Sequence, residues 1–239
     1  LIVRLVGKPY VICPAGALPI YGRSHILKRI YNQIIGKKII RNADLHLAIT
    51  SAEFSAYMTY GIPAENIHVI PNGVEINFIN SNFGESIQKY ILFVGRLNQI
   101  KGPDLLVQAF SDIAHDFPDI QLILAGPDEG MASELKKLIS QFSLQERIKI
   151  IGYIGGPEKQ KIISQALIFA VPSRQEAMSI VALEAGAQKV PVLITNQCGF
   201  NDVSKFGGEV VPATREGLRE GLRNMLNDRN NLKKRGQVF

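Results

Sequence analysis

Tryptophan is absent from the 239 residues, cysteine occurs twice and histidine four times. Cys13 and Cys198 are far apart and show no metal-ligand spacing, so both are expected to be buried thiols. His25, His46, His68 and His115 also stand apart, which argues against a zinc site. No Gly-x-Gly-x-x-Gly follows a strand-like run and no Gly-Lys-Ser/Thr phosphate loop occurs. Nicotinamide, flavin and nucleoside-triphosphate chemistry are therefore not expected, and no resident cofactor is predicted. Asp-x-Asp, a pair suited to holding a metal on a diphosphate, is missing as well. Any polyphosphate site must draw its positive charge from side chains, and no metal ligands are predicted. No apolar stretch approaches the roughly 20 residues needed to cross a bilayer.

Acidic residues are missing from residues 1–43, which carry Arg4, Lys8, Arg23, Lys28, Arg29, Lys37, Lys38 and Arg41 against a net charge of +6 for the whole chain. Between Ser24 and Asn42, Ile26, Leu27, Ile30, Tyr31, Ile34, Ile35, Ile39 and Ile40 recur at helical spacing, so a basic amphipathic helix is predicted there. Two uses stay open. Segment 23–41 can lie on an anionic membrane surface, where each nearby cation contributes about 1 kcal/mol. Alternatively it packs its apolar face on a sheet and leaves its charges in water.

With 46% hydrophobic and 20% charged residues, the composition is that of an ordinary globular protein. Strand-like and helix-like segments alternate, the signature of an α/β fold with a parallel sheet. Strands are predicted at 10–13, 45–49 and 67–70, then at 90–94, 120–125, 148–151, 167–171, 190–194 and 209–211. Segment 77–88 holds three Asn, two Ser and one Gly without periodicity and reads as a linker. It separates a partial first domain, 1–76, from a second, 89–239.

Two stretches carry the chemistry. Residues Tyr90 to Val94 form an apolar run that meets Gly95-Arg96-Leu97-Asn98-Gln99-Ile100-Lys101-Gly102, with Pro103 suited to a first helical position. This is a strand-to-helix turn, the place where open α/β sheets bind ligands. Arg96 offers a planar fork of donors and Lys101 a point charge, both suited to phosphate, although isolated surface cations are commonly only solvated. Downstream, Ser173-Arg174-Gln175-Glu176-Ala177-Met178-Ser179-Ile180-Val181-Ala182-Leu183-Glu184 sets two carboxylates eight positions apart across a loop and a helix start near Ser179. Amides at that start suit a diphosphate, with a carboxylate toward hydroxyls at each end. Ser173 and Glu176 equally match a capping box, in which they only satisfy backbone amides.

Gly95-Arg96-Leu97 with Lys101-Gly102, followed by Glu176 and Glu184, resembles the donor-binding half of retaining glycosyltransferases of family 4, which have the GT-B fold. Pro71-Asn72-Gly73-Val74, Ala125-Gly126-Pro127-Asp128, Gly152-Tyr153-Ile154 and Pro191-Val192 fit the same pattern in the same order. The resemblance implies two Rossmann-like domains, and transfer of a sugar from a nucleoside diphosphate to a saccharide, lipid-linked or other small acceptor. The work would be cytoplasmic, in cell-envelope or polysaccharide synthesis, without metal or nucleic acid. Arg96, Lys101 and Glu176 would be catalytic. Gly16, Gly95, Ile154, Met178, Ser179, Ile180 and Glu184 would bind the donor, Glu184 at the ribose and Ile154 at the base. Family members have a longer amino-terminal domain and a closing crossover helix, so the chain reads as a fragment clipped at both ends and itself inactive. Two residues depart from the pattern: Met178-Ser179 replaces a common Phe-Gly or Leu-Gly, and Ala15 a common histidine. A nucleotide-sugar-binding module without transfer, and a nucleotide-sugar epimerase, remain alternatives.

Overall fold

The computed structural model describes residues 3, 6–20, 24–74 and 89–236. Segment 77–88, read above as a linker, lies outside these residues, as do Arg4 and Arg23. Contacts divide the chain into two compact units, Leu1–Asn72 and Gly73–Phe239.

The first unit is built on three parallel strands, β1 (Val11–Ile12), β2 (Leu45–Ala48) and β3 (Ile67–Val69), in that order. Pro9 and Pro14 bracket β1 and confine it to two residues, because proline cannot donate to a ladder. Among the described residues three short α-helices, α1 (His25–Tyr31), α2 (Lys37–Arg41) and α3 (Phe54–Met58), accompany the sheet. Leu18, Ile40, Ala48, Tyr57, Tyr60, Ile62 and Ile67 form its core. The buried Tyr57 hydroxyl donates to the carbonyl of Leu47 at 2.6 Å, so the core satisfies its largest polar group.

The basic amphipathic helix is present but not uniform. Residues Asn32–Gly36 widen into a π-helical turn between α1 and α2. Gly36 is buried there, with the Asn32 side chain where a Cβ would sit, and Asn32 Nδ2 donates to the Tyr60 hydroxyl at 3.0 Å. The far half packs inward, with Ile40 buried and the carbonyl of Ile39 accepting from the Tyr10 hydroxyl. The near half does not: Ile26, Leu27, Ile30, Tyr31 and Ile34 are all more than half exposed. Cys13 is exposed rather than buried, because it follows an outer strand of a small sheet. Cys198 is buried as expected.

The second unit contains β4 (Tyr90–Val94), α4 (Pro103–Ser111), β5 (Gln121–Ala125), α5 (Ala132–Gln141), β6 (Ile148–Gly152), α6 (Gly156–Ser164), β7 (Ile168–Val171), α7 (Ile180–Ala187), β8 (Val192–Thr195), β9 (Glu209–Val211), α8 (Arg215–Asn227) and α9 (Arg229–Gly236). Six parallel strands run in the order β6-β5-β4-β7-β8-β9. Side chains alternate between sheet faces, and here both faces are covered. Ile91 and Phe93 of β4 join Leu122, Leu124, Leu106 and Leu222 in one core layer. Tyr90 and Leu92 join Phe169, Val171, Ala182 and Ile194 in the other. That is why β4 and β7 read as unbroken apolar runs. The expected strand at 190–194 begins only at Val192, because Pro191 offers a carbonyl but no amide; that carbonyl accepts from Phe169 at 2.9 Å. Among the described residues no helix is long and apolar enough to cross a membrane.

Candidate functional site

The strand order of the second unit reverses between β4 and β7. The chain builds outward from β4 through β5 to β6, then returns to place β7 on the other side of β4. Crossovers leave opposite ways from the two strands, so the loops at their carboxyl ends diverge and open a crevice, the ligand position in doubly wound sheets. The loops in question are 95–102 after β4 and 172–179 after β7.

Loop 95–102 is fixed from both sides. On one side Gly95 N donates to Ala125 O at 2.9 Å, Leu97 N to Pro127 O at 2.8 Å and Glu129 N to Leu97 O at 3.1 Å. Gly126 holds a φ of +145°, and a Cβ on it would strike the Gly95 carbonyl, so only glycine permits this approach. On the other side Arg174 N donates to Ile100 O at 2.8 Å. Gly102, at a φ of +68°, packs so closely on Pro172 O that a side chain there would collide with it. The Arg174 guanidinium then grips Asp104 through two bonds, 2.8 and 2.5 Å, and the Gln99 carbonyl at 2.7 Å.

Across this junction Lys101 Nζ meets Glu176 Oε1 at 2.7 Å, with side chains 21% and 13% exposed. The other carboxylate oxygen, Glu176 Oε2, accepts from Ser173 Oγ at 2.9 Å, and Glu176 N donates to Gln197 O at 2.9 Å. Ser173 and Glu176 therefore do not form a capping box: no helix begins at them. The helix begins at α7, with Ser179 as its N-cap. Ser179 caps no amide; its hydroxyl is fully buried and has no hydrogen-bond partner among the described residues. Met178 beside it is buried and Ile180 is about half exposed. A half-buried ammonium, a fixed carboxylate and the first turn of a helix thus meet at the switch point. This combination can bind an anion and a neighbouring hydroxyl.

Arg96 takes a different partner. Its Nη1 lies 3.2 Å from both oxygens of Glu129, which also accepts from Asn98 Nδ2 at 2.7 Å. These bonds, Asn98 first and Arg96 after, hold the Glu129 carboxyl below the usual carboxylate range. The structure thus joins Lys101 directly to Glu176, while Arg96, on the same loop, is held by the loop after β5.

Glu184 lies on α7, where its Oε1 accepts from Lys159 Nζ of α6 at 2.8 Å. Ile154, in the loop before α6, is buried, whereas Tyr153 beside it is exposed. Gly16 belongs to the first unit. Its amide donates to Glu53 Oε1 at 2.5 Å, and the buried Glu53 takes a second bond from Ile49 N at 2.7 Å. Among the described residues no group of three or more His, Cys, Asp and Glu is placed to hold a metal ion. Sequence reading missed Lys159, Glu129, Asn98 and the Arg174–Asp104 pair. Their partners lie 25 to 70 positions away, and nothing local announces them.

The profile of the family described as glycosyl transferases group 1 matches residues 76–238, and that of glycosyltransferase family 4 matches residues 3–78. Curated relatives include the mannosylfructose-phosphate synthase of Agrobacterium fabrum, 29% identical over 75% of this chain and 43% of that protein. The alpha-D-kanosaminyltransferase of Streptomyces kanamyceticus is 26% identical over 70% of this chain and 47% of its own length. The chain thus spans less than half the length of these relatives. Among solved structures, Anabaena Alr3699/HepE in complex with UDP and glucose superposes with a TM-score of 0.80 at 20% identity, covering 99% of this chain and 67% of that one. Sucrose-phosphate synthase from Thermosynechococcus elongatus gives 0.76 at 23% identity, over 97% and 62%. The parallel α/β architecture is thereby of the GT-B type, and the chain belongs to the group 1 glycosyl transferases.

Proposed function

We propose that this chain supplies the donor-binding part of a glycosyltransferase. The enzyme moves a sugar from a nucleoside-diphosphate sugar to an acceptor, with retention at the anomeric carbon and without a metal. The contact of Lys101 with Glu176 at the switch point, against the start of α7, carries this reading. In it the diphosphate lies at the α7 amides of Ser179 and Ile180, and Lys101 turns from Glu176 to the phosphate. Negative charge grows on the leaving diphosphate as the glycosidic bond breaks, so fixed positive groups there lower the barrier. Arg96 exchanges Glu129 for phosphate in the same way. Glu176, kept in place by Ser173, accepts hydrogen bonds from the sugar hydroxyls. The half-exposed side chain of Ile180 lies one turn from Glu184, which faces the ribose. The Ile154 backbone reads the base. The family resemblance supports retention, and Lys101 with Arg96 supplies the charge a metal otherwise would.

The first unit supports a lipid-linked acceptor, at the cytoplasmic face of an anionic membrane. Its exposed Ile26, Leu27, Ile30, Tyr31 and Ile34 share a helical stretch with Lys28, Arg29, Lys37 and Lys38. Beside them an apolar groove of about 560 Å³ runs between Leu18, Pro19, Leu27, Tyr31 and Ile39. Equal binding to neutral and anionic liposomes at low salt would remove the membrane component.

Nucleotide binding tests the main reading. At least one of UDP, GDP and ADP should raise the melting temperature of the chain, since a ligand of the native state stabilises it by mass action. Lys101→Ala should weaken that binding by about tenfold or more, the value of one charge-assisted bond. No stabilisation by any of the three overturns the proposal. Tight binding without transfer from any UDP-, GDP- or ADP-sugar points instead to a binding module.

A further inference from the structure

Glu184 is held in an unusual way for a carboxylate that only braces two helices. Its Oε1 is bonded to Lys159 Nζ at 2.8 Å, while its Oε2 is buried and has no partner among the described residues. The two side chains are 26% and 24% exposed, but Oε2 itself is closed off, so a ligand reaches it only once the Glu184 carboxylate turns. Lys159 stands in the second turn of α6, directly after the loop that carries Ile154, and Glu184 stands one turn into α7. The pair therefore joins the helix after the base-side loop to the helix after the phosphate-side loop.

A carboxylate accepts hydrogen bonds and cannot donate, and an ammonium donates three and cannot accept. Lys159 spends one hydrogen on Oε1. A hydroxyl brought to this pair can donate to Oε2 and accept from a second ammonium hydrogen, which satisfies both. A methylene in its place does neither. We propose that Lys159 is a positioning and specificity residue for the ribose of the nucleotide. It keeps hold of Oε1 as the Glu184 carboxylate turns Oε2 out of its buried position toward a ribose hydroxyl, and it closes that hydroxyl's hydrogen bonding. The pair thereby discriminates ribonucleotides from deoxyribonucleotides. This inference rests on the nucleotide-sugar reading above.

The test measures dissociation constants by calorimetry on the 239-residue chain for UDP, GDP and ADP, and for the 2′-deoxy and 3′-deoxy form of whichever binds. The wild-type chain should prefer the ribonucleotide over at least one deoxy form by about tenfold or more, as loss of a bond to a charged group predicts. Lys159→Ala should shrink that ratio to about threefold or less, mostly by weakening the ribonucleotide, and Lys159→Arg should restore part of it. Glu184→Gln, which keeps the side-chain shape, should shrink the ratio as well. If Lys159→Ala weakens ribo and deoxy forms in parallel, Lys159 is a brace between helices and the proposal fails. It also fails if the wild-type ratio is near one for both analogues. Absence of binding by the wild-type chain to all three ribonucleotides instead overturns the reading on which the proposal rests.

Discussion

Replacing Arg174 with alanine removes the clasp between the two loops that carry Lys101 and Glu176, and its cost can be worked from the geometry. The guanidinium makes two bonds to Asp104 and one to the Gln99 carbonyl, and Asp104 is only 10% exposed while Arg174 is 32% exposed. Breaking a fully buried pair by removing one partner costs about 3–5 kcal/mol, chiefly because a charge stays buried alone. Two effects reduce that figure here. The arginine is about one-third exposed, and Asp104 sits in the first turn of α4, where the helix dipole returns roughly 0.5 kcal/mol. About 2 kcal/mol remains, which lowers the melting temperature by about 4–8 °C for a unit of this size. Asp104→Ala should cost less, about 1 kcal/mol, because the stranded arginine can reach water. The double variant should be more stable than the sum of the two predicts, since neither charge is then left alone. Far-ultraviolet circular dichroism suits the measurement, because the chain has no tryptophan to report by fluorescence. An Asp104→Ala cost equal to or above that of Arg174→Ala refutes the reasoning, as does a drop below about 1 °C for Arg174→Ala.

Leu92→Ala, at a fully buried position in the central strand, should destabilise the second unit by about 2–5 kcal/mol; a midpoint change below 1 kcal/mol in urea would show that the core collapses to fill the gap. Cys13 should react with a thiol reagent in the native protein. Cys198, buried with its thiol pushed up to about 11 by loss of solvent, should react only after unfolding, so native labelling at two thiols counts against the structure. Glu129→Gln should tighten nucleotide binding by up to about fivefold by releasing Arg96 from an exposed pair, and weaker binding would mean that Glu129 is needed to aim it. Asp112 is held below its ordinary range first by the Arg215 hydrogen bond. That stability is present above the unfolded value of 3.8 and is lost as pH falls below it, so Arg215→Ala should narrow the gap between melting temperatures at pH 6 and pH 3. An unchanged gap contradicts the assignment.

Much of the second unit was legible because its strands are buried on both faces. Runs such as Tyr90 to Val94 have no polar interruption, and glycines or prolines mark their ends. The start of α7 at Ser179 was legible for a related reason: the loop before it changes from charged to apolar within three residues. In the first unit the basic helix was placed correctly, yet its π turn at Asn32–Gly36 was not, because it depends on Asn32 reaching Tyr60 from another element. Cys13 was misplaced since burial follows from what lies across a sheet, and β1 is an outer strand.

By itself the sequence determined the α/β class, the strand positions and the two stretches that supply the cations and carboxylates. Those properties depend on neighbours along the chain: hydrophobic period, turn residues and the charge within a loop. Only the tertiary structure decided the partners, joining Lys101 to Glu176, Arg96 to Glu129, Glu184 to Lys159 and Arg174 to Asp104. A salt bridge forms within about 4 Å in space, whatever the separation in sequence. The order in which strands enter the sheet, with β7 returning beside β4, is what brings these distant residues that close.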